Sequence, residues 1–153
     1  MPVQIDLRVE DDHWTDLADL SGLCERAIMA AALRTMPDKS ATIDVLLADN
    51  HALAALNKQW RDKEGPTDVL SFPAEPNPEN FLGDIAIGFG VALKDARASG
   101  VSMEAHLSHL LIHGFLHLLG HDHVDDDEAE RMEAIERETL ANLGFSDPYS
   151  RIA

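Results

Sequence analysis

The feature that most constrains the fold is an apolar, histidine-rich segment, HLSHLLIHGFLHLLGHDH, at residues 106–123. It carries six histidines in eighteen positions, and most of its other residues are large and apolar. A helix that is apolar on most sides has to be buried among other elements, and a buried imidazole needs a partner. The segment therefore predicts a central helix, capped near Ser102 and ended at Gly120, whose histidines are satisfied by a ligand or by hydrogen bonds.

The spacing of these histidines predicts a metal site. At about 100° per residue, His113 and His117 lie about 40° apart around the helix and one turn apart along it, so both rings can reach one ion. Gly120 can adopt the left-handed conformation that reverses the chain after a helix, which brings His123 back toward the same point. His121 competes with His123 as the third ligand, and we favour His123 because it lies further past the turn.

Three imidazoles without a thiolate are typical of a catalytic zinc site that keeps one position open. Cys24 is the one cysteine of the chain, which indicates a reducing compartment and leaves histidine as the ligand type in supply. One zinc ion is therefore the first expectation, although nickel, copper and other divalent transition metals bind the same atoms. His106 and His109 share the helix face but lie too far along it, so we expect structural or supporting roles for them.

The rest of the chain predicts a single α+β domain over residues 1–145, with residues 146–153 as a flexible tail. We expect a small four-stranded mixed sheet packed against about five helices, with the metal site on the central apolar helix. Period-two patterns or β-branched, apolar runs predict the strands, and apolar stripes at three- and four-residue steps predict the helices. The strands are expected at residues 3–9, 41–48, 68–72 and 82–89, and the helices from Trp14, at 50–60, from Val91, from Ser102 and from residue 125.

Composition restricts the possible partners. The 153-residue chain has a formal net charge of −16, which opposes non-specific adhesion to nucleic acid or to an anionic membrane. A polyanion would have to be bound locally, and Lys58, Arg61 and Lys63 supply one local basic group, with Trp60 as a base-stacking face or, by its spacing, as a core anchor. Because the chain shows neither a signal core nor a run of about 20 apolar residues, we expect a cytoplasmic protein without a membrane partner.

Three segments together resemble a known family. The motif HGFLHLLGHDH, preceded by NKQWRDKEGPTDVLSFP and LGDIAIG, closely resembles the YbeY family of bacterial single-strand endoribonucleases, and the resemblance covers most of the chain. It implies that His113, His117 and His123 bind zinc, and that Arg61 is the functionally important basic residue of the cleft. It also implies a single-stranded RNA or ribosomal RNA substrate, ribosomal partners, and a role in ribosomal RNA maturation and ribosome quality control. His121 departs from the family pattern, in which many members carry tyrosine.

This resemblance suggests a mechanism for phosphodiester hydrolysis. Cleavage requires stabilisation of charge on the phosphoryl oxygens, which an ion with an open position and a guanidinium can supply together. We expect zinc either to polarise the scissile phosphate or to lower the pKa of its water, while Arg61 binds the phosphate oxygens and anchors the RNA.

Two alternatives from other classes stay open. The histidine spacing equals that of metzincin proteases, but those enzymes need a glutamate after the first histidine, where this chain has Gly114. A hydrolase of that type acting on a non-RNA substrate would therefore need another carboxylate, such as Asp84 or Asp122. The third possibility is a non-enzymatic ribosome-assembly factor in which zinc has a structural role.

Overall fold

The computed structural model describes residues 3–122 and 124–149, and within them the chain forms a four-stranded mixed sheet and five α-helices. This confirms the predicted α+β class. The elements in chain order are β1 (Val3–Val9), α1 (Leu20–Thr35), β2 (Ala41–Ala48), α2 (Asn50–Arg61), β3 (Val69–Pro73), β4 (Phe81–Gly88), α3 (Phe89–Ser99), α4 (Met103–Leu118) and α5 (Asp126–Asn142).

The sheet has the strand order β1-β2-β4-β3. The first three strands in this order run parallel, and β3 pairs antiparallel with β4 at the edge. Alternate side chains of the sheet enter two separate apolar clusters, since Ile85 and Ile87 face the larger core whereas Ala86 packs with Leu53 of α2. Helix α2 therefore covers the opposite face of the sheet from the main core.

Helix α4 is central, as its apolar sequence predicts. It contacts β3, β4 and the three helices α1, α3 and α5. Five of its large apolar side chains are fully buried: Leu107, Leu111, Ile112, Phe115 and Leu116. Ser102 caps the helix by accepting a hydrogen bond from the Ala105 amide at 3.1 Å. The chain then turns at Gly120, whose φ of 96° places it in the left-handed region.

Two local predictions about tryptophans are wrong. Trp14 does not begin a long helix, because it lies in a short 3-10 turn (Asp12–Asp16) and α1 starts only at Leu20. Trp14 is instead a core anchor whose Nε1 donates to the Ala48 carbonyl at 2.9 Å. Trp60, expected from its spacing to anchor α2 in the core, is 63% exposed.

Two neighbouring polar side chains hold the start of α2. Asp49, not Asn50, caps the helix by accepting from the Ala52 amide at 2.8 Å. The side chain of Asn50 accepts from the Val91 amide at 2.9 Å and so joins α2 to α3.

Beyond α5 the chain contacts that helix. Tyr149 donates a hydrogen bond to Glu136 at 2.8 Å, and Arg137 pairs with Asp147 at 3.1 Å. Residues 150–153 of the predicted flexible tail lie outside the described residues, and the flexibility of residues 146–153 stays a prediction. None of the helices in the described ranges is long and apolar enough to cross a bilayer.

Candidate metal centre

Two of the three predicted ligands face each other at the end of α4. His113 and His117 stand one turn apart, both partly buried, with their Nε2 atoms 3.1 Å apart and their ring planes at 76°. Zinc–imidazole bonds of about 2.0–2.1 Å place two ligands of one ion a little over 3 Å apart. The pair therefore fits a single ion. The predicted third ligand, His123, lies outside the described residues.

A buried carboxylate orients the first of these rings. Nδ1 of His113 lies 3.2 Å from Oε1 of Glu136, whose side chain is 1% exposed. An ionised carboxylate can only accept, so the proton of the ring is held on Nδ1. The lone pair then sits on Nε2, the nitrogen that faces His117.

Glu136 is ionised because of its neighbours. Burial acts to raise its pKa, but the hydrogen bonds from His109 and His113 outweigh burial and lower the pKa to about 2. Its second oxygen, Oε2, contacts Nε2 of His109 and accepts the hydroxyl of Tyr149. His109 is thus linked to His113 through a shared carboxylate.

Glu136 was missed by the sequence analysis. Its signal was present, since α5 buries one stripe that includes Met132, Ile135 and Leu140, and this glutamate lies on the same buried face. A buried acidic residue needs a hydrogen-bonding or charged partner. Its place on the apolar stripe of this helix could therefore have marked Glu136 as a candidate site residue.

The histidine pair opens into a cleft of about 560 Å³. The cleft lies between the ends of α2 and α4, strand β3 and residues 120–122. Its polar side chains include Arg61, Lys63, Asp68, His113, His117 and His121. The fold therefore brings Arg61, the competing ligand His121 and the histidine pair to one cavity.

Arg61 is placed in the cleft by β3. Its Nη2 donates to the carbonyl of Ser71, and its Cζ lies 5.4 Å from the ring centroid of Phe72. No carboxylate within residues 3–122 and 124–149 forms an ion pair with it. A guanidinium held this way keeps part of its donor set for an anion.

Of the two lysines near Arg61, only one lines the cleft of the histidine pair. Lys63 lines the same cleft as Arg61, whereas Lys58 pairs with Glu64 at the surface. Trp60 lines a second cleft on the α2 side of the sheet, with Asp44 and Asp84. Stacking on Trp60 would thus occur away from the histidine pair.

At Gly114, α4 packs closely against the sheet. A Cβ at this position would lie 3.0 Å from Cγ2 of Ile85 and 3.1 Å from Oγ of Ser71. Metzincin proteases carry their catalytic glutamate at the corresponding place, and here the side of the helix is closed by buried neighbours. A glutamate at this position would therefore require the side chain of Ile85 or Ser71 to move.

The two substitute carboxylates differ in position. Asp84 adjoins Asp44 across the sheet and lines the second cleft, so it cannot act on the histidine pair. Burial, followed by the neighbouring Asp44, raises its pKa. Asp122 is exposed and lines the cleft of the histidine pair.

His106 does not show the hydrogen bonding expected of a structural histidine. Within the described residues its Nε2 is buried and has no hydrogen-bond partner. Burial, and then the neighbouring His109, lowers its pKa, although Asp68 and Asp95 act in the opposite direction. These two aspartates and His106 form the one three-residue group of potential metal ligands in the described part of the chain.

Comparisons with known proteins agree on one family. The model of the family described as endoribonuclease YbeY matches residues 5–144. A protein named endoribonuclease YbeY from Maricaulis maris is 50% identical over 146 residues, which are 95% of this chain and 91% of that relative. A protein of the same name from a Chelativorans species is 46% identical over 151 residues, covering 95% of this chain and 93% of the relative. A solution structure of a protein from Thermotoga maritima superimposes with a TM-score of 0.60 at 25% identity. The match covers 97% of this chain and 100% of that chain.

Proposed function

Because the chain belongs to the YbeY endoribonuclease family, we propose that it is a single-strand-specific, metal-dependent endoribonuclease of ribosomal RNA maturation and ribosome quality control. The observation that carries this proposal is the common cleft of Arg61 and the His113/His117 pair. A phosphodiester needs positive charge at its non-bridging oxygens when it is cleaved, and this cleft combines a guanidinium with a place for a cation.

The proposed cofactor is one zinc ion bound by His113, His117 and His123. The 3.1 Å separation of two Nε2 atoms and the buried carboxylate behind His113 support this choice, since both are usual in zinc sites with imidazole ligands. When bound, the ion supplies Lewis-acid charge at the scissile phosphate. Other divalent transition metals suit the same ligands.

Three side chains of the cleft and its surroundings are proposed to bind the phosphate, orient a ligand ring and accept a proton. Arg61 binds the phosphate oxygens with the donors that Ser71 leaves available, and it anchors the RNA in the cleft. Glu136 holds the proton on Nδ1 of His113 and so fixes the orientation of that ring. Asp122, exposed in the same cleft, is placed to accept a proton.

The charge of the molecule favours local RNA binding. With a net charge of −16, most of the surface repels a polyanion, and Arg61 and Lys63 provide the positive charge of the cleft. We infer that a short single-stranded segment enters there, presented by a ribosomal RNA precursor or by the ribosome. A cytoplasmic location follows from this partner.

The test is cleavage of single-stranded RNA by the purified chain, with and without a chelator. Arg61→Ala is compared with Arg97→Ala, which removes an exposed arginine on α3. We expect the chelator and Arg61→Ala each to abolish most cleavage and Arg97→Ala to leave it unchanged. Cleavage that survives both changes would contradict the proposal. Intact RNA combined with metal-dependent peptide hydrolysis would favour the metzincin-like hydrolase instead, and ribosome binding without cleavage would favour an assembly factor.

A further inference from the structure

We propose that Asp68, Asp95 and His106 form a second site for a divalent transition metal, separate from the His113/His117 pair. One ligand atom from each of the three side chains lies within 4.8 Å of the other two. Two ligands of one ion are usually about 3–4 Å apart, given bonds of about 2.0–2.2 Å. Small rotations of the carboxylates would therefore bring all three atoms to one ion, with water in its remaining positions.

The three residues come from three different elements. Asp68 precedes β3, Asp95 lies on α3 and His106 lies in the first turns of α4. All three are partly buried. An ion at this point would join α3 and α4 to the segment that enters β3.

His106 supplies the strongest sign that a partner is missing. Its Nε2 is buried, and the described residues offer it no hydrogen bond. A buried polar group without a partner is destabilising, so such groups are rare in native proteins unless water or an ion completes their hydrogen bonding. A cation between the imidazole and two carboxylates would satisfy the ring as well as the acids.

The two aspartates also lack a counter-charge. Within residues 3–122 and 124–149, neither Asp68 nor Asp95 forms an ion pair with a basic side chain. Asp68 is held in place because its Oδ1 accepts from the Val69 amide at 2.7 Å. The pair thus presents two negative charges beside one imidazole, which is a donor set for a dication.

This site cannot share its ion with the histidine pair. His106 precedes His113 by seven residues on the same helix, a distance of about 10 Å along the axis. The donor chemistry differs as well, since two carboxylates and one imidazole are harder ligands than a set of imidazoles. Mn²⁺ should therefore favour the second site more than the first.

The experiment is a Mn²⁺ titration of the full chain, freed of metal and followed by electron paramagnetic resonance. The double variant His113→Ala/His117→Ala serves as the background, because it excludes any Mn²⁺ binding by the histidine pair. We expect this background to bind one Mn²⁺ per chain. Adding His106→Gln or Asp95→Asn should weaken the affinity at least tenfold, while adding His51→Gln, an exposed histidine on α2, should leave it unchanged. Equal affinity with and without His106→Gln would overturn the proposal.

A second measurement covers the case in which a variant does not fold. Amide signals of the wild-type chain, loaded with one equivalent of Zn²⁺, are recorded while Mn²⁺ is added in small steps. Selective broadening of signals around Asp68, Asp95 and His106 is the expected result. Broadening confined to signals around His113 and His117 would overturn the second site without affecting the proposed endoribonuclease function.

Discussion

Glu136 on α5 accepts from Nδ1 of His113 on α4, at a distance of 3.2 Å. The same carboxylate contacts His109 and Tyr149, so one buried charge joins α4, α5 and the segment after α5. A histidine ring held in this way has its orientation fixed in advance, which would lower the cost of binding the proposed ion.

We expect Glu136→Gln to reduce the zinc affinity of the chain by about 10- to 100-fold, the usual effect of losing a group that orients a ligand histidine. The substitution keeps the size of the side chain but removes the charge that holds the proton on Nδ1 of His113. Competition with a chromophoric chelator measures the affinity. Glu130→Gln, which changes an exposed glutamate of the same helix, is the control. Matching affinities in the two variants would show that Glu136 does not orient the site.

We expect Tyr149→Phe to lower the free energy of unfolding by about 1–2 kcal/mol, because it removes a hydrogen bond to a buried carboxylate. Urea denaturation measures the change. An unaltered unfolding midpoint would mean that this contact contributes nothing and that the flexible tail begins before Tyr149.

We expect Gly114→Glu to destabilise the chain by more than about 3 kcal/mol and to create no peptidase activity. The new side chain would meet Ile85 and Ser71 and would bring an unpaired charge into a closed space. Thermal unfolding is the measurement, with Ala141→Glu, at an exposed position of α5, as the control. A stable Gly114→Glu protein that cleaves peptides would instead support the metzincin-like alternative.

We expect the thiol of Cys24 to resist alkylation in the folded protein at pH 8. Burial, with a smaller effect of Glu25, raises its pKa to about 12, so the folded state keeps the thiol protonated. The unfolded chain loses this proton at a lower pH, near the ordinary thiol pKa of 9.0, and the contribution of Cys24 to stability therefore falls as pH rises above that value. A colour-forming disulfide reagent should label the chain only in denaturant. Rapid labelling of the native protein at pH 8 would contradict the burial of this group.

Much of the fold was predictable because its signals are local. The alternating pattern at residues 3–9 and the β-branched, apolar run at 41–48 predicted β1 and β2 at their observed bounds, and Ser102 and Gly120 marked the limits of the central helix. The errors arose where contacts between distant segments determine whether a side chain is buried. The core holds Trp14 through a bond to Ala48 and leaves Trp60 in solvent, which no pattern within either segment reveals.

The candidate site likewise contains residues that the sequence predicts and residues that it does not. His113 and His117 were predictable because a helix fixes residues four apart on one face. Glu136 was not, since its partner lies on another helix, 23 residues away along the chain. The group of Asp68, Asp95 and His106 depends on three elements meeting in space, which a single sequence does not specify.

The proposal that the His113/His117 pair holds a catalytic ion is tested most sharply by the rate at which His117→Gln cleaves single-stranded RNA. His51→Gln, the matched change at an exposed histidine, is the control. Circular dichroism first establishes that both variants are folded. We expect His117→Gln to lose activity by a factor of about 100 or more, because the proposed ion can no longer be held in the cleft, and His51→Gln to cleave like the wild type. A folded His117→Gln protein that cleaves RNA at the wild-type rate would show that cleavage does not depend on this histidine.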